Sequence, residues 1–142
     1  MTDVVVVVDV ANVMGSRPDG WWRDRRAAAT TLLTAFGKLP GRQTVGPDRS
    51  QLRIVRVVAV VEGAARGATA QNSVDVVEAE TDGDSAIVAA TGELLASRSA
   101  SPTETEIGPV VLVVTADRGL RQRLPGTVQT AGPQWLNELI GR

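Results

Sequence analysis

The sequence predicts an α/β fold, a three-layer α/β/α sandwich built on a mostly parallel sheet of about five strands. Two observations carry this prediction. Two runs, "VVVVV" at 4–8 and "PVVLVV" from position 109, are continuous and apolar, as in strands covered on both faces, and "LRIVRVVAVV" from position 52 reads as a further strand. Segments with helical apolar spacing lie between the strands, and that alternation makes a doubly wound sheet with right-handed crossovers. At 142 residues, with 43% hydrophobic and 22% charged residues, the chain reads as one globular domain over 1–142.

The elements follow in order. Residues 4–8 form a central strand that ends in Asp9. A helix is expected over 24–39, where Leu32, Leu33, Phe36 and Leu39 share a face and Pro40-Gly41 stops it. Residues 41–51, rich in Gly, Pro and polar side chains, read as loop. A second strand over 52–62 ends in Glu62, and a small-residue connection leads to a short third strand over 73–79. Positions 87, 88, 91, 94 and 95 share the face of a helix over 83–97, with Asp84 or Ser85 as its cap. After a loop over 99–108, a fourth strand over 109–117 ends in Asp117. A short helix, a short fifth strand over 127–132 and a terminal helix begun by Pro133 complete the chain, with Trp135 assigned to the core.

Composition narrows the chemistry. There is no cysteine and no histidine, which removes disulfides, thiolate or histidine metal sites, cysteine nucleophiles and Ser-His-Asp catalysis. Fifteen basic residues against sixteen acidic ones leave no global field to attract nucleic acid or membrane, so any such partner needs a local patch. The valine run is shorter than the ~20 apolar residues of a membrane span and lacks signal-peptide flanks. A cytoplasmic protein is expected.

Three strands end in acids, Asp9, Glu62 and Asp117, while Asp82 and Asp84 open a helix that follows a strand. Sites in open α/β sheets lie beyond the carboxyl ends of the strands, so these side chains converge on one edge. Any one of them alone reads equally as a turn former or helix cap. Together, with no lysine or histidine among them, they repel. A hard divalent cation with oxygen ligands, such as Mg²⁺, relieves that repulsion and serves phosphodiester chemistry.

Arginines flank these acids in sequence. Arg17, Arg23, Arg25 and Arg26 follow the first strand, and Arg118, Arg121 and Arg123 follow the fourth. Their planar forks suit phosphate contacts, although Arg23, Arg25 and Arg26 read equally as a solvated helix face. Trp21 and Trp22 offer either a stacking platform for an unpaired base or packing beneath their loop.

At these residues a family resemblance appears. "VVVVVDVANVMGS" resembles the opening motif of NYN domains, members of the PIN-like nuclease superfamily: an apolar strand, an Asp, and an Asn three residues on. "VVLVVTADRGLR" resembles that group's later strand running into T-x-D, and "TDGDSAIVAATGELL" resembles the acid-then-helix segment between them. The combination "DVANVMGSRPDGWWRDR" is similar to that of small bacterial single-domain proteins, some of which carry nucleotide-pyrophosphohydrolase names. The resemblance implies a Rossmann-like (PIN-like) sheet, with Asp9 as a direct Mg²⁺ or Mn²⁺ ligand and Asn12 orienting a ligand or water. It implies Asp84, or failing that Asp82, as the acid at the second helix and Asp117 as a further ligand. Thr115 would bond phosphate or a metal water, and RNA would be the partner, with a homodimer as an analogy. The chain departs from the pattern at Gly119 and Ser85, where further acids are often found; both departures thin a second metal site.

Rival motifs fail on spacing. D-V-A stands where haloacid-dehalogenase phosphatases carry D-x-D, the acidic pair and late lysine of receiver domains are missing, and neither a Gly-rich dinucleotide turn nor a Walker loop is present. Three functions remain: a metal-dependent ribonuclease, a nucleic-acid-binding module that has lost turnover, and a metal-dependent hydrolase of small nucleotides. The first is the preferred expectation.

Overall fold

A computed structural model describes residues 1–99 and 108–142; the loop expected over 99–108 falls on 100–107, outside the described residues. At the centre of the sheet is β1 (Thr2–Asp9), with β3 (Gln51–Val61) parallel on one side and β5 (Val110–Val114) parallel on the other. Beyond β3 lies β4 (Val74–Glu78), and beyond β5 lies β6 (Gln129–Ala131), both again parallel to their neighbours. A further strand, β2 (Gln43–Val45), runs antiparallel to the start of β3.

The sheet is therefore mixed and six-stranded, which corrects the expectation of a mostly parallel sheet of about five strands. The correction falls on residues 41–51, read above as loop. A parallel neighbour needs a long crossover, whereas an antiparallel one needs only a tight turn. Here the turn is closed by Gly46 N–H donating to Ser50 O at 2.8 Å, with Arg49 at φ 68 inside it. A strand of three residues, exposed at both ends, leaves no apolar run for sequence reasoning to find.

The continuous valine run is buried because both faces of β1 are covered. Val4, Val6 and Val8 pack with Val10, Val13 and Met14 of α1 (Val10–Gly15), with Ala29, Leu32, Leu33 and Phe36 of α2 (Arg25–Phe36), and with Leu136 of α5 (Pro133–Leu139). Val5 and Val7 pack on the opposite face with Ile87 of α3 (Gly83–Ser99) and Leu120 of α4 (Arg118–Gln122). Three layers result. Strand periodicity of two sends alternate valines to two separate cores, and full burial of each valine contributes roughly 1.5–3 kcal/mol of transfer free energy.

Local chemistry explains two further departures. Helix α1 begins at Val10 with no intervening loop, because Asp9 is both the last residue of β1 and the N-cap, its Oδ1 accepting from Asn12 N–H at 3.3 Å. Helix α2 is capped by Asp24, which accepts from Ala27 N–H at 3.1 Å, and it stops at Gly37 rather than at Pro40. Leu39 is buried all the same, just past the helix. Among the described residues no helix is long and apolar enough to cross a membrane.

Candidate active site

The chain leaves β1 for β3 on one side and later returns to β5 on the other, so sheet growth reverses at β1 and β5. A crevice outside the carboxyl ends of strands at such a switch point is where open α/β sheets bind ligands. Asp9 ends β1 there, and the segment Thr115–Asp117 follows β5.

Two hydrogen bonds tie the two strand ends together, and a third braces the segment after β5. Thr115 Oγ1 donates to Asp9 Oδ2 at 3.0 Å and accepts from Asp117 N–H at 3.1 Å. Ala116 N–H donates to Asn12 Oδ1 at 2.8 Å. Asp117 Oδ1 in turn accepts from Leu120 N–H at 3.0 Å, capping α4 as Asp9 caps α1. Two short helices thus start at the two acids. Removing the Asn12 acceptor by Asn12→Ala is expected to cost about 1–2 kcal/mol, since Ala116 N–H loses its partner; urea denaturation of the variant measures it.

The third acid follows β3 and reaches α3 on the opposite face. Glu62, immediately after β3, accepts from Gly83 N–H through Oε2 at 2.6 Å and so fastens the first turn of α3 to the sheet edge. A Cβ at position 83 would lie 2.8 Å from that oxygen, so a side chain there would push the Glu62 carboxylate aside. Glu62→Gln is expected to weaken the anchor by about 1 kcal/mol through loss of the charge-assisted bond, visible as a lower denaturation midpoint. The helix cap is Asp82, not Asp84 or Ser85: Ser85 N–H and Oγ donate to the two Asp82 carboxylate oxygens at 2.7 and 3.1 Å. With Asp82 occupied in capping, Asp84 is left to feel the other acids.

The electrostatics follow this division. Burial is the main cause that raises the Asp9 carboxyl above its ordinary value; the Thr115 and Asn12 bonds oppose the rise, and the charges of Asp84 and Glu62 add to it. The Asp84 carboxyl is raised as well, first by desolvation and then by Asp117, Glu62 and Asp82. Asp82 moves the other way, lowered by the Ser85 N–H and hydroxyl. Asp9, Glu62, Asp84 and Asp117 thus form one zone of mutual repulsion, and Asp82 lies at its exposed rim.

The donor set suits a hard divalent cation, being carboxylate and amide oxygen with no sulfur or imidazole. Among the described residues, however, no group of three or more acidic side chains is arranged to hold a metal ion by itself. Such a set matches Mg²⁺, which binds through one or two carboxylates and completes its shell with water and phosphate.

Several residues stand elsewhere than sequence reasoning placed them. Thr115 is fully buried and both its bonds are internal, so it positions Asp9 and Asp117 rather than meeting phosphate. Arg121, grouped with the phosphate contacts, spends Nε and Nη2 on Thr115 O at 3.0 and 2.6 Å and clamps the same segment. Arg17 and Arg118 are exposed beside the ends of α1 and α4. Trp21 is partly buried against the core and Trp22 is half exposed, both in a 3-10 turn (Trp21–Arg23). Trp135 is partly buried, its indole N–H donating to Val45 O at 3.0 Å. At Gly119 an added Cβ would lie 3.3 Å from Asp117 Oδ1, and Ser85 is consumed in the Asp82 cap. The Thr115 and Arg121 roles had no sequence signal, because both depend on how a three-residue turn folds back on β1.

No protein-family model matches the chain, and no curated protein sequence matches it. Among solved structures it is similar to a mutant of Rae1 (YacP) from Bacillus subtilis, with a TM-score of 0.65 at 16% identity over 99% of this chain and 76% of that one. The two share a fold. At this identity the likeness shows the fold alone.

Proposed function

We propose that the protein is a metal-dependent ribonuclease that hydrolyses RNA phosphodiesters in the crevice at Asp9. The observation that carries this reading is the buried Asp9 carboxyl at the switch point, raised by burial and facing Asp84 and Glu62. The NYN-like order of motifs and the fold shared with Rae1 support it.

Within this reading Asp9 and Asp117 hold Mg²⁺ or Mn²⁺, and Asp84 completes the acidic set, with Asp82 at the rim. An ion held there would supply Lewis-acid chemistry, activating a water and offsetting charge that builds on the phosphate. Asn12 and Thr115 keep the two ligand-bearing strand ends at fixed separation through their bonds to Ala116 N–H and Asp9. Arg121 clamps the Thr115 carbonyl through two hydrogen bonds and so steadies the segment that carries Asp117. Exposed Arg118 offers a guanidinium to the RNA phosphate at the mouth.

A second reading, an RNA-binding module without turnover, is favoured by one observation: no three acids form a ready cage among the described residues. The test offers single-stranded RNA, hairpin RNA and free nucleoside triphosphates in parallel, with Mn²⁺ or with a chelator. Metal-dependent loss of RNA alone supports the ribonuclease. Retention of RNA without cleavage replaces it with the binding module, and consumption of triphosphates alone replaces it with a nucleotide hydrolase.

A further inference from the structure

Beside the acid crevice lies a second concave feature. An open depression of about 690 Å³ is lined by Trp22, Arg23, Arg25, Arg26 and Ala64 together with the start of α2. We propose that it is a binding subsite for one nucleotide of a single-stranded nucleic acid, its base stacked on Trp22 and its phosphates held by the arginines. This deepens the ribonuclease reading by naming an unpaired strand as the substrate.

Trp22 is the aromatic wall of this depression. It is 50% exposed, in a chain that otherwise leaves only Met1, Val45 and Val55 as large apolar side chains in solvent among the described residues. Its indole is fixed in place. Trp21, packed on the core, meets it edge-on at 5.8 Å between ring centroids. The Arg23 guanidinium lies over the Trp22 ring at 5.9 Å, and Arg25 lies over Trp21 at 5.3 Å. The segment leading into this turn is tethered as well, because Arg142 Nη2 donates to Asp19 Oδ2 at 2.9 Å and its Nη1 to Val13 O at 3.1 Å. A rigid, half-open indole binds a flat partner at low entropic cost, and every base offers a π face.

Charge points to the same ligand. Arg23, Arg25 and Arg26 are exposed, and among the described residues none of them forms an ion pair. Arg26 uses only Nε internally, donating to Arg66 O at 3.0 Å. The one acid in the lining, Asp24, has an oxygen engaged by Ala27 N–H. Three guanidinium groups lining one depression with Trp22, on a chain of net charge −1, make a local phosphate site rather than a global one.

Position connects the subsite to the chemistry. Ala64 belongs to the 3-10 turn Gly63–Ala65, which begins directly after Glu62, and Glu62 holds the first turn of α3 beside Asp84. A strand stacked on Trp22 therefore passes the acid crevice along one sheet edge. The acids there repel phosphate, so Arg23, Arg25 and Arg26 add to Arg118 a grip on the backbone away from those acids.

The test measures binding of a short labelled oligouridylate by fluorescence anisotropy in low salt with a chelator present, so that no cleavage step enters. Wild-type protein is expected to bind the single strand, more weakly as salt rises. Trp22→Ala is expected to lose about tenfold in affinity and Trp22→Phe to recover most of it. Arg25→Gln is expected to weaken binding and flatten the salt dependence. The proposal is overturned if Trp22→Ala and Arg25→Gln both bind as the wild type does. It is equally overturned if a blunt duplex or uridine monophosphate binds as tightly as the single strand. Binding without cleavage in the presence of Mn²⁺ leaves the subsite standing and removes the ribonuclease; cleavage that Trp22→Ala leaves unchanged does the reverse.

Discussion

Replacing Asp9 by Asn is expected to lower metal-dependent RNA cleavage more than a hundredfold while leaving the metal-free protein at least as stable as wild type at neutral pH. Loss of an outer-shell partner alone typically costs 10–100-fold in metal affinity or activity, and Asp9 is assigned to the ion directly. The stability half follows from proton linkage. In the folded chain the Asp9 carboxyl lies above 3.8, its ordinary value, chiefly because of burial. Between that value and the raised one, the folded state keeps a proton that the unfolded state has lost. Stability therefore falls as pH rises through this window and levels off above it. An amide carries no such penalty. It still accepts from Asn12 N–H and turns its own N–H toward Thr115 Oγ1. Asp84 is shifted in the same direction, so the variant keeps a smaller fall of its own. Urea denaturation from below the carboxylate range up to neutrality reads both slopes. Mn²⁺ at about a hundred times its Kd is expected to raise wild-type stability by about 2.7 kcal/mol and to leave the variant unmoved.

The second large effect is expected at Thr115. Thr115→Val keeps the shape of the side chain and deletes a hydroxyl that is fully buried. Asp9 Oδ2 loses its donor and Asp117 N–H loses its acceptor. A bond to a charged group is worth about 1.5–3 kcal/mol, and stranded buried partners push the cost to the upper part of that range. A chain of this size is then expected to melt roughly 6–10 °C lower. Thr115→Ser retains the hydroxyl and is expected to recover most of the loss. Because Thr115 positions both acids, the valine variant is also expected to show kcat reduced about 10–100-fold with KM nearly unchanged. A purely structural role would lower the melting temperature and leave kcat per folded molecule intact.

How much of this was legible in the sequence depended on the length of each signal. β1 and β5 announce themselves as continuous apolar runs because burial on both faces leaves no polar positions, and β3 does so only over 57–61, since Arg53 and Arg56 in its first half are exposed. Their terminal acids then locate the crevice through the topology alone. β2 escaped because a three-residue antiparallel edge strand needs no hydrophobic pattern, and its pairing is what made the sheet mixed. α1 escaped because it follows β1 without a break and Asp9 serves both elements; Asp9 itself was the cue, since an N-cap acid accepts from the backbone N–H three residues on. In the candidate site, the acids could be named but not their division of labour. Asp82 rather than Asp84 caps α3, because the helix starts one residue later than its capping acid. Thr115 and Arg121 were assigned to the ligand, yet their partners are Asp9 and a backbone carbonyl brought close only by the fold. Glu62 had no assigned role until its contact with Gly83 N–H placed it as the tie between β3 and α3.

The most direct measurement follows cleavage of a single-stranded RNA against Mn²⁺ concentration for wild type, Asp9→Asn and Asp117→Asn in one series. A crevice that works through metal held by these two acids predicts saturable, chelator-sensitive cleavage by the wild type and loss of it in both variants. Cleavage that survives the chelator, cleavage equal in all three proteins, or no cleavage by the wild type at any Mn²⁺ concentration would contradict it.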